Sequence, residues 1–203
     1  MFLQLISHPC EMAKNEPKVK PKVKNRRKGL NTTMCTLYYM IIKDAMVIIH
    51  LAKMSILDAS CDYFKKVVIP EKVYDEVMKG KEKGYLEIII VEKMLKEGRL
   101  RVEKIKNISL LKKANEYNIQ GGEAEAIALY WQEKAEYLAT DDDNVRKKSE
   151  MLNVHIIGTP VILNKLYREK RINKDKFLGA VRKLQKIGWF SSTIIDKMLM
   201  EAQ

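Results

Sequence analysis

Residues 40–53 read MIIKDAMVIIHLAK. The run from Leu37 to Lys43 is short, apolar and β-like, while Val47 to Asp58 carries apolar residues at helical spacing. Asp44 stands at the join. A carboxylate between a strand and a helix lies where α/β proteins keep their sites, beyond the carboxyl ends of the strands. The same order of strand, acid and helix returns in YLATDDDNVRK, residues 137–147. There Tyr137 to Ala139 is strand-like and Asp143 to Met151 is helical.

Working outward, the alternation continues. Lys66 to Ile69 is a β-branched strand, and Pro70 suits the first position of a helix running to about Met78. Tyr85 to Lys96 is amphipathic and stops at Gly98, a good helix terminator. Leu100 to Ile105 reads as a strand and Leu110 to Tyr117 as a short helix. Gly121 and Gly122 break the chain before a helix from Glu123 to about Lys134. Val154 to Ile157 is strand-like, and helices follow at Pro160 to Glu169, Asn173 to Ile187 and Thr193 to Glu201. Strands alternating with helices predict a three-layer α/β/α sandwich around a mainly parallel sheet.

The chain has 203 residues, enough for one domain with a sizeable core and hardly enough for two. Residues 1–36 differ from the rest. Up to Leu30 there are eight Lys and Arg against two Glu, a surplus of six from a total net charge of +12. The stretch KNEPKVKPKVKNRRK has no apolar periodicity, so an extended or disordered basic arm is expected before a domain at 37–203. Such an arm suits a polyanion; a solvated tail, or an extension upstream of a start at Met34 or Met40, is the plainer reading. A sequence pI near 9.5 favours nucleic acid or an anionic surface as partner. The most apolar stretch, Met34 to Leu51, has Lys43 and Asp44 near its middle, which counts against a membrane span. The opening MFLQLI is too short for a signal-peptide core. Cys10, Cys35 and Cys61 are scattered without CxxC spacing. That argues against zinc and for a reducing, cytoplasmic setting.

Each acid has a plain structural reading. Asp141, Asp142 or Thr140 suits a helix cap. Glu123 and Glu125 open a helix and suit its dipole. Glu76, amid Glu71, Lys72 and Asp75, suits a solvated face. His50, on an apolar helix, reads as a packed or rim residue rather than a base. The case for chemistry is collective. Carboxylates that converge beyond strand ends repel one another unless a cation compensates. A hard divalent ion with oxygen ligands is the usual solution, and it suits phosphodiester hydrolysis. Competing signals are absent: there is no GxxxxGK[ST] loop, no GxGxxG after the first strand and no GxSxG turn.

On these residues the chain resembles the PIN-domain nucleases, especially a mostly prokaryotic, toxin-like branch. The resembling segments are DAMVIIHLAK from Asp44, VVIPEKVYDEV from Val67, GGEAEAIAL from Gly121, TDDDNVRKKSEMLNV from Thr140 and IIGTPVILNKLYREKRI from Ile156. The tail LQKIGWFSSTIIDKML is similar as well. The resemblance implies an endoribonuclease dependent on Mg²⁺ or Mn²⁺, acting on single-stranded RNA. An antitoxin protein and a second copy of the chain are further partners it leaves open. Position by position it implies metal-site acids at Asp44, Glu76, Glu123 or Glu125, and Asp141 or Asp142. Two helical residues apart, Glu123 and Glu125 differ by about 200° and cannot both face one site. Met46 departs from the family, which usually has a small hydroxyl residue there to bond the first acid. A catalytically weakened nucleic-acid-binding or regulatory module of the same fold is therefore the alternative.

Overall fold

The computed structural model of the protein describes residues 39–202. The expectations for the basic arm, residues 1–36, lie outside that range. Five strands form one parallel sheet in the order β3-β2-β1-β4-β5: β1 (Met40–Lys43), β2 (Lys66–Pro70), β3 (Leu100–Glu103), β4 (Tyr137–Ala139) and β5 (Ile156–Ile157). The strands are short, and each is followed by helix. After β1 come α1 (Ala45–Lys53) and α2 (Leu57–Phe64); after β2, α3 (Glu71–Glu82) and α4 (Ile88–Lys96). After β3 come α5 (Ile108–Glu116) and α6 (Gly121–Glu133); after β4, α7 (Asp143–Lys147) and α8 (Ser149–Leu152). The chain closes with α9 (Thr159–Arg168), α10 (Lys174–Ile187) and α11 (Ser192–Met200).

Successive strand residues feed opposite cores, because side chains alternate across a pleated strand. Ile41, Val67, Ile69 and Ala139 pack into one cluster with α1, α2, α4 and α9 to α11. Met40, Ile42, Val68 and Leu138 pack into the other with α5 to α8. A parallel sheet covered on both faces has near-continuous apolar strands, which is what MIIK and KVVIP show. The molecule is the α/β architecture expected, with helical layers on both sides of the sheet.

Three local readings change. The single helix read over 47–58 is two helices, broken where Ser55 takes a left-handed φ of 59°. The apolar spacing runs on through the break because Met54, Ile56 and Leu57 enter the same core as α1. Gly121 and Gly122 do not precede α6; they are its first turn. The helix read over 143–151 is α7 and α8, which meet at Lys148.

The last residue of β1, Lys43, is fully buried. Its ammonium donates to the Ser60 hydroxyl at 2.6 Å and lies 5.6 Å from the Phe64 ring centre. Burial pulls its pKa down to about 8. Below that pH the amine is charged in both folded and unfolded chains, and the desolvation cost is present in full. Between about 8 and 10.5 the unfolded chain holds the extra proton, so stability rises with pH. Replacing Lys43 by Met, which leaves Ser60 without its partner, should still stabilise the fold at pH 7 by ~1–2 kcal/mol. The gain should shrink towards pH 10.5. Thermal unfolding of wild type and Lys43→Met across that range checks it, and a gain independent of pH would contradict it.

Candidate functional site

The strand order changes direction at β1. From it the chain steps out to β2 and β3 on one side, then returns to place β4 and β5 on the other. Open parallel sheets form their crevice at such a switch, beyond the carboxyl ends of the two strands. Asp44 follows β1, and Asp141 and Asp142 follow β4, so three of the sequence-read acids flank the switch point. The edges are tied there: the Asp44 amide donates to the Ala139 carbonyl at 3.0 Å and the Thr140 amide to the Ile157 carbonyl at 3.1 Å.

A cleft of about 700 Å³ opens at this edge. Asp44, Glu76, Glu123, Asp141 and Asp142 all line it, with Met46, His50, Arg146, Trp189 and Phe190. Glu125 does not. Half a turn round α6, its carboxylate accepts from the Lys72 amide at 3.0 Å in the first turn of α3. The geometry thus separates Glu123 from Glu125, as the 200° argument requires. Glu76 reaches the cleft from α3 by lying against the first turn of α6. Its carboxylate accepts from the Gly122 amide at 3.2 Å, and a Cβ on Gly122 would come within 2.5 Å of a Glu76 oxygen. Glycine at 122 is what lets this acid approach.

The three acids at the strand ends differ in what their oxygens already do. Asp44 caps α1, accepting from the Val47 amide at 2.8 Å, and is only 4% exposed. Asp142 caps α7, accepting from the Val145 amide at 2.7 Å. The capping read for this segment is therefore real, and it coexists with a place in the cleft. Asp141 is the most engaged. One oxygen takes the Thr159 amide at 2.7 Å; the other takes the Thr159 hydroxyl and faces His50 Nδ1 at 2.9 Å. His50, read from sequence as packed or rim, is a buried member of this cluster. Its signal was present: a histidine on an apolar helix face needs a polar partner. The partner, 91 residues away, was not legible.

Asp44 is burdened first by burial and then by neighbouring charge. Burial pushes its pKa up to about 7, and the carboxylates of Asp141 and Glu123 push the same way. Hydrogen bonds from Thr140 and from the Val47 amide act against the rise. The Thr140 hydroxyl thus acts on the pKa of the first acid in the sense expected of a hydroxyl at position 46, where the chain has Met. Glu123 is raised as well, chiefly by burial and further by Asp142 and Glu76.

A family model described as a PIN domain matches residues 40–203. The chain belongs to the PIN-domain family. PIN domains are generally nucleases, and they typically act on nucleic acids. No curated protein and no solved structure matches the chain. Among the described residues, no helix is long and apolar enough to cross a membrane.

In a PIN domain the acids would hold a divalent cation, so the fit can be tested on this cleft. The donors are all carboxylate oxygens, which suits a hard ion. Among the described residues, however, no three His, Cys, Asp or Glu side chains stand close enough to enclose a metal. An ion such as Mg²⁺, which keeps several of its waters, would need only one or two of these carboxylates as direct ligands.

Asp44 gives a sign that can be checked without any catalysis. Its folded pKa lies above the unfolded value of 3.8, so its contribution is intact below about pH 4 and is lost as pH rises through 7. In chelator, Asp44→Asn should therefore raise stability at pH 8, by ~2–4 kcal/mol, and change it little at pH 4. Urea unfolding at the two pH values measures it. Equal effects at both would mean that Asp44 is not electrostatically strained.

Proposed function

We propose that the protein is a divalent-metal-dependent endoribonuclease of the PIN type, cutting single-stranded RNA in the cleft beyond β1 and β4. The observation that carries this reading is the convergence of Asp44, Glu76, Glu123, Asp141 and Asp142 on one cleft at the switch point of the sheet. A carboxylate that burial, with neighbouring acids adding to it, holds near pKa 7 is a group that a cation would stabilise.

Asp44, Glu123 and Asp142 are the residues assigned to hold Mg²⁺ or Mn²⁺, each with oxygen capacity left after its hydrogen bonds. Such an ion supplies a water of lowered pKa and neutralises charge developing on the phosphate. Glu76, anchored to Gly122, orients that water from the α3 side of the cleft. Asp141 is assigned a different part. With Thr159 and His50 on its two oxygens, it locks the ends of β4 and α9 to α1 and fixes the floor of the cleft. The surplus of positive charge in residues 1–30 suits the same polyanionic substrate.

One observation favours a second reading, a nucleic-acid-binding module without turnover: among the described residues, no three carboxylates enclose a metal position. A single assay separates the two. Fluorescent single-stranded RNA is incubated with Mn²⁺ or with chelator, using wild type, Asp44→Asn, Asp142→Asn, Glu125→Gln and Met46→Ser. Asparagine caps helices about as well as aspartate, so Asp142→Asn isolates the charge from the cap. The nuclease reading expects metal-dependent cleavage that falls at least about 100-fold in Asp44→Asn and Asp142→Asn. Glu125→Gln should cut at close to the wild-type rate. Met46→Ser should do the same, since Thr140 already serves Asp44. RNA binding with no cleavage under any metal would favour the binding module.

A further inference from the structure

The segment from Gly188 to Ser191 joins α10 to α11 and runs along one wall of the acid cleft. Two adjacent aromatic residues there behave oppositely. Phe190 folds back, its ring edge-on to His50 at 5.9 Å between centres. Gly188 makes this fold possible, because a Cβ at 188 would overlap the Phe190 ring. With Phe190 pinned inward, its neighbour Trp189 is turned out. Trp189 is 102% exposed, the most exposed of the large apolar side chains among the described residues. The other tryptophan, Trp131, packs against the second core cluster, donates to the Leu152 carbonyl and has Lys113 over its ring.

A singly exposed apolar side chain is ordinary on a protein surface; what marks Trp189 is that it also lines the acid cleft. The surroundings narrow the choice. Trp189 shares its cleft with carboxylates and with Arg146, on the last turn of α7. A protein partner's apolar face would bury those charges unpaired. A nucleobase matches them better: it offers an aromatic face to the indole and polar edges to water, and Arg146 supplies a cation for its phosphate on the same cleft. We propose that Trp189 is the stacking platform for a base of single-stranded nucleic acid beside the acid cleft. The inference rests on the proposed nuclease reading for its substrate class. It adds that strand selection comes from an unpaired base on Trp189, so duplex RNA is excluded there.

The test uses the full chain in chelator, where no metal-dependent cleavage intervenes. Intrinsic tryptophan fluorescence is followed during titration with a ten-residue oligoadenylate, an abasic oligomer of the same charge and a blunt RNA duplex. Oligoadenylate should quench wild type strongly, and the abasic strand and duplex hardly at all. Trp189→Phe keeps an aromatic face. It should bind within about threefold of wild type by anisotropy while losing the quench, because Trp131 does not report. Trp189→Ala should bind about tenfold or more weakly. Equal quenching by abasic and base-bearing strands would overturn the proposal, as would wild-type affinity in Trp189→Ala. Self-association that Trp189→Ala abolishes would overturn it too, by making the indole an interface between copies. Cleavage with Mn²⁺, run on the same proteins, keeps the two readings apart. Wild type that cleaves while Trp189→Ala binds normally refutes only the platform. Wild type that stacks oligoadenylate but never cleaves refutes only the nuclease.

Discussion

The cleft is organised around the cost of burying Asp44. A carboxylate only 4% exposed, with Asp141 and Glu123 acting on it, is held near pKa 7. Without compensation it would rise further, since desolvation is the largest influence on it. The fold supplies what it can from fixed dipoles: the Val47 amide at the start of α1 and the hydroxyl of Thr140. Neither carries a full charge. On the proposed reading, that remaining imbalance is what a bound cation would relieve.

The same constraint governs the neighbouring strand ends. Asp142 and Asp141 are consecutive, yet one caps α7 while the other bridges α1 and α9 through His50 and Thr159. Two like charges side by side are tolerable here because each has its own set of donors. On the proposed reading the split also divides their roles. Asp141 has both oxygens occupied and fixes geometry, whereas Asp142 keeps an oxygen for the cleft. Gly122 plays a matching part across the gap, where the missing side chain brings Glu76 against the α6 backbone.

Much of this could be read from the residues, for physical reasons that also mark where reading stops. Strand, acid and helix follow one another locally, so the sequence alone places Asp44 and Asp141–Asp142 at strand ends. The helical angle separated Glu123 from Glu125 without saying which faced in; that depended on α3, whose Lys72 amide takes Glu125. The break at Ser55 was hidden because the apolar spacing is continuous across it and both helices serve one core. His50 and Thr159 were hidden for the opposite reason: their bonds to Asp141 span long sequence separations and leave no local pattern. Met46 suggested a missing hydroxyl, yet one comes from Thr140, beyond another strand. The sequence position was vacant while the space around Asp44 was filled.

The charge distribution then poses a question that the geometry answers. A chain with net charge +12 has a cleft lined by six carboxylates, and at close range those acids repel a polyanion. Screening at physiological salt confines such effects to about 8 Å, so net charge alone does not offset the local field of the acids. Two features at the cleft relieve the conflict on the proposed reading. A cation between the acids reverses the sign where the phosphate must sit, and Arg146 is positive on the wall. Trp189 adds attraction that owes nothing to charge. A neutral aromatic surface placed beside a cluster of acids lets a nucleic acid be held by its bases where its phosphates alone would be turned away.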